Sequence, residues 1–383
     1  MSGVAGGHPA DRARARDLGV APGRLPAGPA NAITDVPGIR VGHATVIEGT
    51  GIRTGVTAVV HDELLSGGSL PAGLSVFNGF GKMVGSTQVA ELGTIETPVL
   101  LTATLSVFRV ADALLSYLRE RNGAEPPGTL NPVVAETNDG YLSDIWARPI
   151  TAEHVRVSLD TAADGPVAEG CVGAGTGTGA LGFKAGIGTS SRIAPWASGP
   201  VTLGVLVQAN FTGELTVLGA PMPATGREPG PEPPDHGNSC VIVLATDAVL
   251  DSRQLERVAS RAFGGMARAG SDFSGRSGDY ALAIAAARPP AAAGTETTAA
   301  GQATERETAA THAGAASGTA AAPSGHPVPA KDLDLLFQAA IEATEEAILN
   351  SLFMAVTTTG FRGHVRHAVP LDEVVARVGG RLT

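Results

Sequence analysis

The chain has 383 residues, of which 43% are hydrophobic and 17% are charged, and it contains 51 glycines. These proportions exclude a highly charged disordered protein and predict a compact, turn-rich globular chain with a substantial core. The formal net charge of −10 disfavours a nucleic-acid or anionic-membrane binder, because such proteins use an excess of Lys and Arg to displace counterions.

The amino-terminal residues 1–30 are rich in Ala, Gly, Pro and Arg, and we predict that they form a mobile arm. They contain no apolar segment of signal-peptide length, and no run of about 18 apolar residues follows. The two cysteines, Cys171 and Cys240, lack metal-ligand spacing and are too few for a disulfide framework. These features predict a cytoplasmic protein that is not inserted in a membrane.

In the first half of the chain, short apolar runs bounded by turn residues predict β-strands. Apolar residues at helical spacing predict one helix from Thr104 to Arg121, which Gly123 can end. The predicted strands are 38–46, 55–61, 74–80, 155–159 and 201–210.

The second half predicts two more strands, at 241–247 and 281–286, with a helix between them that Ser252 can cap. Residues 288–330 lack bulky apolar side chains, so we expect a disordered surface insertion that cannot join a core. From Leu333 to Ala355 the spacing of apolar residues predicts the clearest amphipathic helix in the chain.

Two motifs suggest ligands but lack the context that would support them. Gly177, Gly179 and Gly182 match a dinucleotide-binding GxGxxG pattern, but no good strand precedes them and no acidic residue follows at the required distance. The glycine-rich run is instead predicted to shape backbone near a functional site. His364 and His367 alone are a weak metal signal and are predicted to be a solvated pair.

Ser239 stands where a proline-rich loop turns into a buried strand. Its context, GNSCV, lacks the second glycine of a hydrolase elbow and precedes a strand. A cut between Asn238 and Ser239 would give the serine a free α-amine, whose pKa of about 7.7 to 8.0 lets it accept the hydroxyl proton. The local pattern alone is equally compatible with a serine that merely begins a strand.

Eight sequence blocks extend this hypothesis beyond one residue. They are NAITDVPGIRVGHAT (31–45), RTGVTAVV (53–60), VFNGFGKMVG (76–85), ETNDGYLSD (136–144), GAGTGTGALGFKAGIGTSSR (173–192), LVQANF (206–211), NSCVIVLATD (238–247) and SGRSGDYALAIA (274–285). In this order they resemble the L-aminopeptidase/D-esterase family, the self-processing N-terminal-nucleophile hydrolases that include the β-peptidyl aminopeptidases. The resemblance spans 31–288 and resumes over 332–363.

The resemblance implies an α/β fold, a four-layer αββα sandwich, with residues 31–383 as one catalytic domain. Cleavage between Asn238 and Ser239 would give an α chain of residues 1–238 and a β chain of residues 239–383. Ser239 would then be the nucleophile that removes amino-terminal residues from short peptides, amides or esters through an acyl-enzyme. The family also implies a homotetramer of cleaved protomers and no metal or organic cofactor.

Five further residues match the family's functional positions. Tyr141 and Asn210 match its oxyanion-stabilising pair, and both side chains carry suitable hydrogen-bond donors. Ser277 matches the serine that supports the nucleophile and its amine. Asp279 stands where some members carry a glutamate, so the carboxylate is kept with a shorter reach. Glu136 matches an acidic residue associated with the substrate's amino group, which a carboxylate can bind by charge-assisted hydrogen bonds.

Two alternatives remain open at this point. An acyl transferase resembling ornithine acetyltransferase also cleaves itself before a hydroxyl residue, but that family uses a threonine where this chain has Ser239. A non-catalytic α/β scaffold with a degenerate site is the more distant alternative, and it predicts a chain that stays in one piece.

Overall fold

The structure is a computed structural model that describes residues 12–123, 128–196, 199–224, 238–287, 326–329 and 331–379. Its strands are β1 (Arg40–Glu48), β2 (Ile52–Val60), β3 (Leu70–Gly79), β4 (Met83–Val84), β5 (Thr94–Ile95), β6 (Val99–Ala103), β7 (Val133–Thr137), β8 (Gly179–Ala180), β9 (Phe183–Lys184), β10 (Ile187–Ala194), β11 (Val201–Asn210), β12 (Thr216–Val217), β13 (Ala220–Pro221), β14 (Asn238–Thr246), β15 (Ala248–Val249), β16 (Ser277–Ala285), β17 (His326–Pro327), β18 (Thr358–Thr359) and β19 (Val365–Arg366). Its α-helices are α1 (Asp62–Leu65), α2 (Ser86–Leu92), α3 (Val107–Asn122), α4 (Ala152–Asp160), α5 (Ser252–Ala269), α6 (Asp334–Phe353) and α7 (Leu371–Val378).

Two large sheets form the centre of the molecule. The first has the order β1-β2-β6-β7-β4, and the second has the order β10-β11-β14-β16-β3-β5. Helices α3 and α4 pack on the outer face of the first sheet, whereas α5 and α6 cover the outer face of the second. A further apolar cluster fills the space between the sheets. The four-layer αββα sandwich is therefore confirmed.

Alternate side chains of β14 pack into two different apolar clusters. Ile242 and Leu244 belong to the cluster under α5 and α6, whereas Val241 and Val243 belong to the cluster between the sheets. Successive side chains of a strand point to opposite faces, so both faces of β14 are buried. This explains why its sequence is continuously apolar.

The predicted strands at 38–46, 55–61, 74–80, 201–210, 241–247 and 281–286 correspond to β1, β2, β3, β11, β14 and β16. The helix predicted from Thr104 is also confirmed, although Thr104–Ser106 form a short 3₁₀ turn before α3 begins. Gly123 follows α3 directly, as expected. Continuous or alternating apolar runs of this length were sufficient to identify the elements of the core.

The strand predicted at 155–159 is wrong, because these residues lie in α4. The alternating letters VRVSL imitate a strand, but His154 and Thr151 form a capping box that starts a helix. Val155 and Leu159, one helical turn apart, then point into the core under α4. The cap predicted for α5 is wrong by one residue, because the side chain of Asp251, and not that of Ser252, accepts the hydrogen bond from the Gln254 backbone N–H.

Helix α6 occupies the segment where a helix was predicted, but the expectation of an amphipathic helix is wrong. It packs against α5, β10 and β11, and its polar residues are buried together with its apolar ones. Glu346 is fully buried and accepts hydrogen bonds from Arg16, Asn31 and Arg192. The guanidinium of Arg192 is itself buried, with its Nη2 2.7 Å from Glu346 Oε2. A helix enclosed on all sides keeps charges only where they are paired.

The amino-terminal segment, residues 12–31, supplies part of that enclosure. Ala15 and Val20 are fully buried, and the Ala15 N–H donates to Asn350 Oδ1 at 2.9 Å. Arg12 Nε donates to the carbonyl of Phe353 at the end of α6. The prediction of a mobile arm over residues 1–30 is therefore wrong for residues 12–30, since small residues and paired arginines dock onto α6. Residues 1–11 lie outside the described residues.

Most of the predicted surface insertion, residues 288–325 and 330, also lies outside the described residues. The described part at 326–329 joins the body, because β17 pairs in parallel with β15 and Val328 is buried. The expectation that the whole stretch stays out of the core is therefore wrong at Val328. No helix among the described residues is both long and apolar enough to span a bilayer.

Candidate active site

Ser239 lies near the start of β14, between two strands of the second sheet. The register pairs it with Asn210 of β11 on one side and with Gly278 of β16 on the other. Ser239 is 2% exposed, and its Oγ lies 2.5 Å from the carbonyl oxygen of Asn238, to which it donates. The hydroxyl is therefore held against the peptide group that precedes it.

Two hydrogen bonds anchor the side chain of Asn238. Its Nδ2 group donates to Thr212 Oγ1 at 3.1 Å and to Ser274 Oγ at 3.2 Å. These two hydroxyls come from separate loops, so the residue before Ser239 is held from two directions. Cys240 lies on the opposite face of β14 in the cluster under α5 and α6, and burial raises the pKa of its thiol. Cys240 is thus a buried small residue on the strand of Ser239, on the face that packs under α5 and α6.

Ser277 and Asp279 lie on β16, next to the start of β14. Ser277 Oγ donates to Asp279 Oδ1 at 2.6 Å, and Asn78 Nδ2 donates to Asp279 Oδ2 at 2.8 Å. Burial raises the pKa of Asp279, while these two hydrogen bonds and one from the Cys240 backbone lower it. The carboxylate thus reaches the main chain of the serine strand despite having one methylene fewer than a glutamate.

Asn210 and Tyr141 line one small polar pocket together with Asn138, Asn238 and Arg366. Asn210 Nδ2 donates to the carbonyl oxygen of Asn138 at 2.9 Å, and its Oδ1 accepts from the Gly179 backbone N–H at 3.1 Å. Tyr141 is 6% exposed and stands at the end of the turn that begins at Asn138. The structure therefore brings the two predicted donors to the same pocket.

Glu136 lines a second cavity of about 400 Å³, which Ser239 also lines. The Lys82 backbone N–H donates to Glu136 Oε1 at 3.0 Å, and Lys82 Nζ lies 3.5 Å from the same oxygen. Lys82 Nζ also donates to Thr104 Oγ1 at 2.7 Å. Burial raises the pKa of Glu136, whereas Lys82 and Thr104 lower it. Within the described ranges, Glu136 Oε2 has no hydrogen-bond partner.

The two cavities share Asn138 and Asn238 in their linings. The start of β14 thus lies between the two cavities. Ser239 and Glu136 line one cavity, and Asn210 and Tyr141 line the other. All six predicted functional residues lie around this point, together with the proposed cleavage position.

Sequence reasoning missed Asp139, which lies in the same turn as Asn138 and Tyr141. Its carboxyl is fully buried, and neither oxygen has a hydrogen-bond partner among the residues that the structure describes. Burial raises its pKa to about 7, an effect that Thr54 and Lys184 oppose. Asp139 lies within the ETNDGYLSD block, whose letters do not indicate that its carboxyl is buried.

The glycine-rich run shapes backbone beside this turn, as predicted. A Cβ on Gly177 would lie 2.0 Å from the carbonyl oxygen of Arg53 and 2.9 Å from Asp139 Cβ. The N–H of Gly179 holds Asn210 in place, as described above. A side chain at Gly177 would therefore displace the backbone around the site.

The expectation that His364 is half of a solvated pair is wrong. Its ring stacks on the ring of Tyr141 with centroids 4.4 Å apart, and the guanidinium carbon of Arg366 lies 4.4 Å from the Tyr141 centroid. These contacts link positions more than 200 residues apart, which a sequence motif does not reveal. Among the described residues, no group of three or more His, Cys, Asp and Glu side chains is arranged to hold a metal ion.

Comparison with known proteins gives concordant results. Residues 31–366 match peptidase family S58. The β-peptidyl aminopeptidase BapA of Sphingosinicella microcystinivorans is 37% identical over 399 residues, covering 97% of this chain and 93% of that protein. The β-peptidyl aminopeptidase BapA of Sphingosinicella xenopeptidilytica is also 37% identical, over 94% of this chain and 90% of its own length.

Solved structures agree with these relatives. The PH0078 protein of Pyrococcus horikoshii OT3 superposes with a TM-score of 0.81 at 37% identity, over 96% of this chain and 99% of that one. The L-aminopeptidase D-Ala-esterase/amidase of Ochrobactrum anthropi superposes with a TM-score of 0.80 at 33% identity, over 97% and 99% of the two chains. The latter is described as a prototype for the serine aminopeptidases and as a variant of the N-terminal-nucleophile hydrolase fold.

Fold, site and relatives together define a serine aminopeptidase with the N-terminal-nucleophile hydrolase fold. The chain belongs to peptidase family S58. The family resemblance and the aminopeptidase activity expected from the sequence are both confirmed.

Proposed function

We propose that this aminopeptidase activates itself by cleaving its own chain between Asn238 and Ser239. The observation that carries the proposal is the contact between Ser239 Oγ and the Asn238 carbonyl oxygen, 2.5 Å apart at the start of a core strand. The strand register fixes Ser239, and Thr212 and Ser274 hold the side chain of Asn238. The attacking group and the bond to be broken are thus held together before any reaction.

Cleavage proceeds in two steps that need no external group except water. Ser239 Oγ attacks the carbonyl carbon of Asn238, and the hydroxyl proton passes to the amide nitrogen of Ser239. The C–N bond then breaks, so the acyl group moves from nitrogen to oxygen as an ester and the nitrogen becomes a free amine. Water then hydrolyses this ester and leaves a carboxylate on Asn238. Ser239 retains its hydroxyl and gains a free α-amine, which is the base required for the next reaction.

In the mature enzyme, the Ser239 amine takes the hydroxyl proton as Oγ attacks the substrate carbonyl. The negative oxygen that develops is stabilised by donors from Tyr141 and Asn210, which line the adjacent pocket. The leaving amine receives the proton, and water hydrolyses the acyl-enzyme. Ser277 and Asp279 lie next to the start of β14 and hold the new α-amine in place.

Glu136 binds the ammonium group of the substrate. Its carboxylate lines the cavity that Ser239 lines, and Oε2 is not used by another described residue. A buried carboxylate would tend to take up a proton, but the ammonium of Lys82 stabilises its charged form. The cavity therefore offers an anionic group to a substrate's amino terminus near the nucleophile.

The substrates that we propose are short peptides, amides and esters with a free amino terminus. β-Peptidyl aminopeptidase relatives and the L-aminopeptidase D-Ala-esterase/amidase support β-amino and α-amino residues as candidates for the first position. No step above uses a metal or an organic cofactor. We also propose a homotetramer of cleaved protomers in the cytoplasm, for which the two free cysteines, Cys171 and Cys240, fit a reducing compartment.

Replacing Ser239 by Ala tests the proposal. The wild-type protein is expected to give fragments of residues 1–238 and 239–383 by intact mass and to hydrolyse aminoacyl p-nitroanilides. Ser239→Ala is expected to remain one chain and to lose measurable hydrolysis, because the nucleophile is absent. Cys240→Ala, which changes the neighbouring residue on the opposite face, is the matched control and should still be cleaved. Cleavage of Ser239→Ala at the same bond would refute the proposal.

A further inference from the structure

A short hairpin near the end of the described chain reaches the active site from a distant part of the sequence. We call residues 358–366 the C-terminal hairpin; its strands β18 and β19 pair Thr358 with Arg366 and Thr359 with Val365. The hairpin ends two residues beyond His364, whose ring contacts Tyr141. It belongs to the segment that would become the β chain, whereas Tyr141 belongs to the future α chain.

Three hydrogen bonds hold the hairpin and the residue that follows it, His367, in place. The Phe361 N–H donates to the carbonyl oxygen of Leu142 at 2.8 Å, and His364 Nδ1 donates to the carbonyl oxygen of Tyr141 at 2.8 Å. On the other side, the Lys184 N–H donates to the carbonyl oxygen of His367 at 2.7 Å. The hairpin is thus attached both to the turn that carries Tyr141 and to the glycine-rich segment.

Two side chains of this hairpin, His364 and Arg366, contact the Tyr141 ring. The His364 ring lies nearly parallel to it, at an interplanar angle of 16° and a centroid distance of 4.4 Å. The Arg366 guanidinium carbon lies 4.4 Å from the same centroid, within the range of a cation–π contact. Gly179 leaves room for this arginine, since a Cβ there would lie 3.0 Å from Arg366 Nε.

Arg366 brings positive charge to the pocket that also contains Tyr141 and Asn210. Burial lowers the pKa of Arg366 to about 10, so the guanidinium is still charged at neutral pH. A fixed cation close to the phenol makes the O–H a stronger donor, and it stabilises an oxyanion that forms in the same pocket. A stacked ring also loses rotational freedom, so its hydroxyl is already oriented before the substrate arrives.

We propose that Arg366, supported by His364, is a positioning residue that orients and polarises Tyr141 as an oxyanion donor. The inference rests on the proposed role of Tyr141. It adds a cationic group to that role and explains why a hairpin beyond the main layers docks at the site. Its consequence is that Arg366 acts through Tyr141, so its contribution should vanish when the phenol hydroxyl is absent.

A double-mutant cycle between Arg366 and Tyr141 tests this coupling. Arg366→Met keeps an apolar chain of similar length and removes the charge; kcat for an aminoacyl p-nitroanilide is expected to fall about tenfold with little change in KM, since the interaction matters in the transition state. Tyr141→Phe is expected to lower kcat about 10²- to 10³-fold. In the Tyr141→Phe background, Arg366→Met should change kcat by less than about twofold.

Two further variants keep the test decisive. Arg366→Lys retains the charge without the planar group and should recover part of the lost kcat. If Arg366→Met does not fold or is not cleaved, the same cycle is run with Arg366→Lys and with His364→Ala, for which a smaller fall is expected that is again absent in Tyr141→Phe. Thermal unfolding of each variant separates loss of structure from loss of orientation.

The inference would be overturned if Arg366→Met lowered kcat by the same factor in the wild-type and Tyr141→Phe backgrounds. It would also be overturned if Arg366→Met left the kcat of the wild-type enzyme unchanged. Such a result with an active, cleaved wild-type protein leaves the proposed function intact. A wild-type protein that is neither cleaved nor active would instead refute the proposed function itself.

Discussion

The two halves of the active site are built in different ways. We name the two halves after the proposed roles of their residues. The nucleophile half consists of Ser239, Asn210, Ser277 and Asp279 on the adjacent strands β11, β14 and β16, where the hydrogen-bond register sets their spacing. The recognition half consists of Glu136 at the end of β7 and the turn 138–141 that follows it. Its geometry depends on contacts with Lys82 and with the C-terminal hairpin.

This difference predicts how each half of the site responds to amino-acid substitutions. A register is shared by whole strands, so a residue in the nucleophile half is fixed by many backbone hydrogen bonds that a side-chain substitution leaves intact. The turn is positioned by a few side chains, so the recognition half should respond gradually to substitutions around it. We therefore expect large, localised losses in the first half. In the second half, apart from the proposed oxyanion donor Tyr141, we expect shifts in pH dependence or stability.

The largest of these effects is expected for Asn210→Asp. The carboxylate can still accept from the Gly179 N–H, but it cannot donate to the Asn138 carbonyl or to an oxyanion. Loss of one such donor should lower kcat about 10²- to 10³-fold. Steady-state kinetics on a processed sample checks this, with the half-buried Thr216→Val on β12 as the control. A kcat within twofold of the wild type would show that Asn210 is not a donor to the oxyanion.

An intermediate effect is expected for Lys82→Met in the recognition half. Removal of the ammonium takes away the interaction that lowers the pKa of buried Glu136, so that pKa rises and the carboxyl is protonated at higher pH. Ammonium binding needs the carboxylate, so KM should rise several-fold near the acid limb of the pH profile. The acid limb of the kcat/KM profile should move to higher pH.

Lys82→Arg is the matched control, because it keeps the positive charge and should leave the acid limb near its wild-type position. If Lys82→Met kept the wild-type profile, Lys82 would not govern the charge of Glu136.

The smallest effect concerns stability and Asp139→Asn. Burial raises the pKa of Asp139 to about 7 in the folded chain, above its ordinary value of 3.8. The folded state therefore binds the proton more tightly, and the resulting stability is complete below the ordinary pKa and is lost as pH rises through about 7. Between pH 6 and pH 8 the wild type should lose a few degrees more in Tm than Asp139→Asn, which has no proton to release.

Glu169, whose pKa burial also raises to about 7, is present in both proteins and cancels in this comparison. The exposed substitution Asp164→Asn serves as the control and should follow the wild-type curve. Parallel curves for all three proteins would show that Asp139 does not titrate in this range.

The sequence predicted the nucleophile half better than the recognition half, for a physical reason. β14 and β16 are buried on both faces, so their apolar runs are unambiguous, and a family block then places Ser239 at a strand start. The role of a turn depends on what packs against it. Nothing local to residues 138–141 indicates that Arg366 or His364 lies beside them, because those contacts arise only when distant segments come together.

The same limit explains the errors in the fold. Residues 155–159 alternate like a strand, and only the capping residues before them favour a helix. Helix α6 has the spacing of a surface helix, but its charged residues are paired with Arg16 and Arg192 from other segments. The pattern of a single sequence shows which residues are polar. It does not show whether a distant residue of opposite charge will pair with them in the fold.

The ion pair between α6 and the amino-terminal segment has a consequence for the enzyme after cleavage. Scission at Asn238 would place Arg16 and Glu346 on separate polypeptides, held together without a covalent link by burial, ionic contacts and hydrogen bonds such as those between β11 and β14. Heating such a heterodimer frees two pieces that must find each other again by diffusion, and the linkage that first guided them into register no longer exists. We therefore expect inactivation of the processed enzyme to be one-way, with its working lifetime set by an unfolding rate.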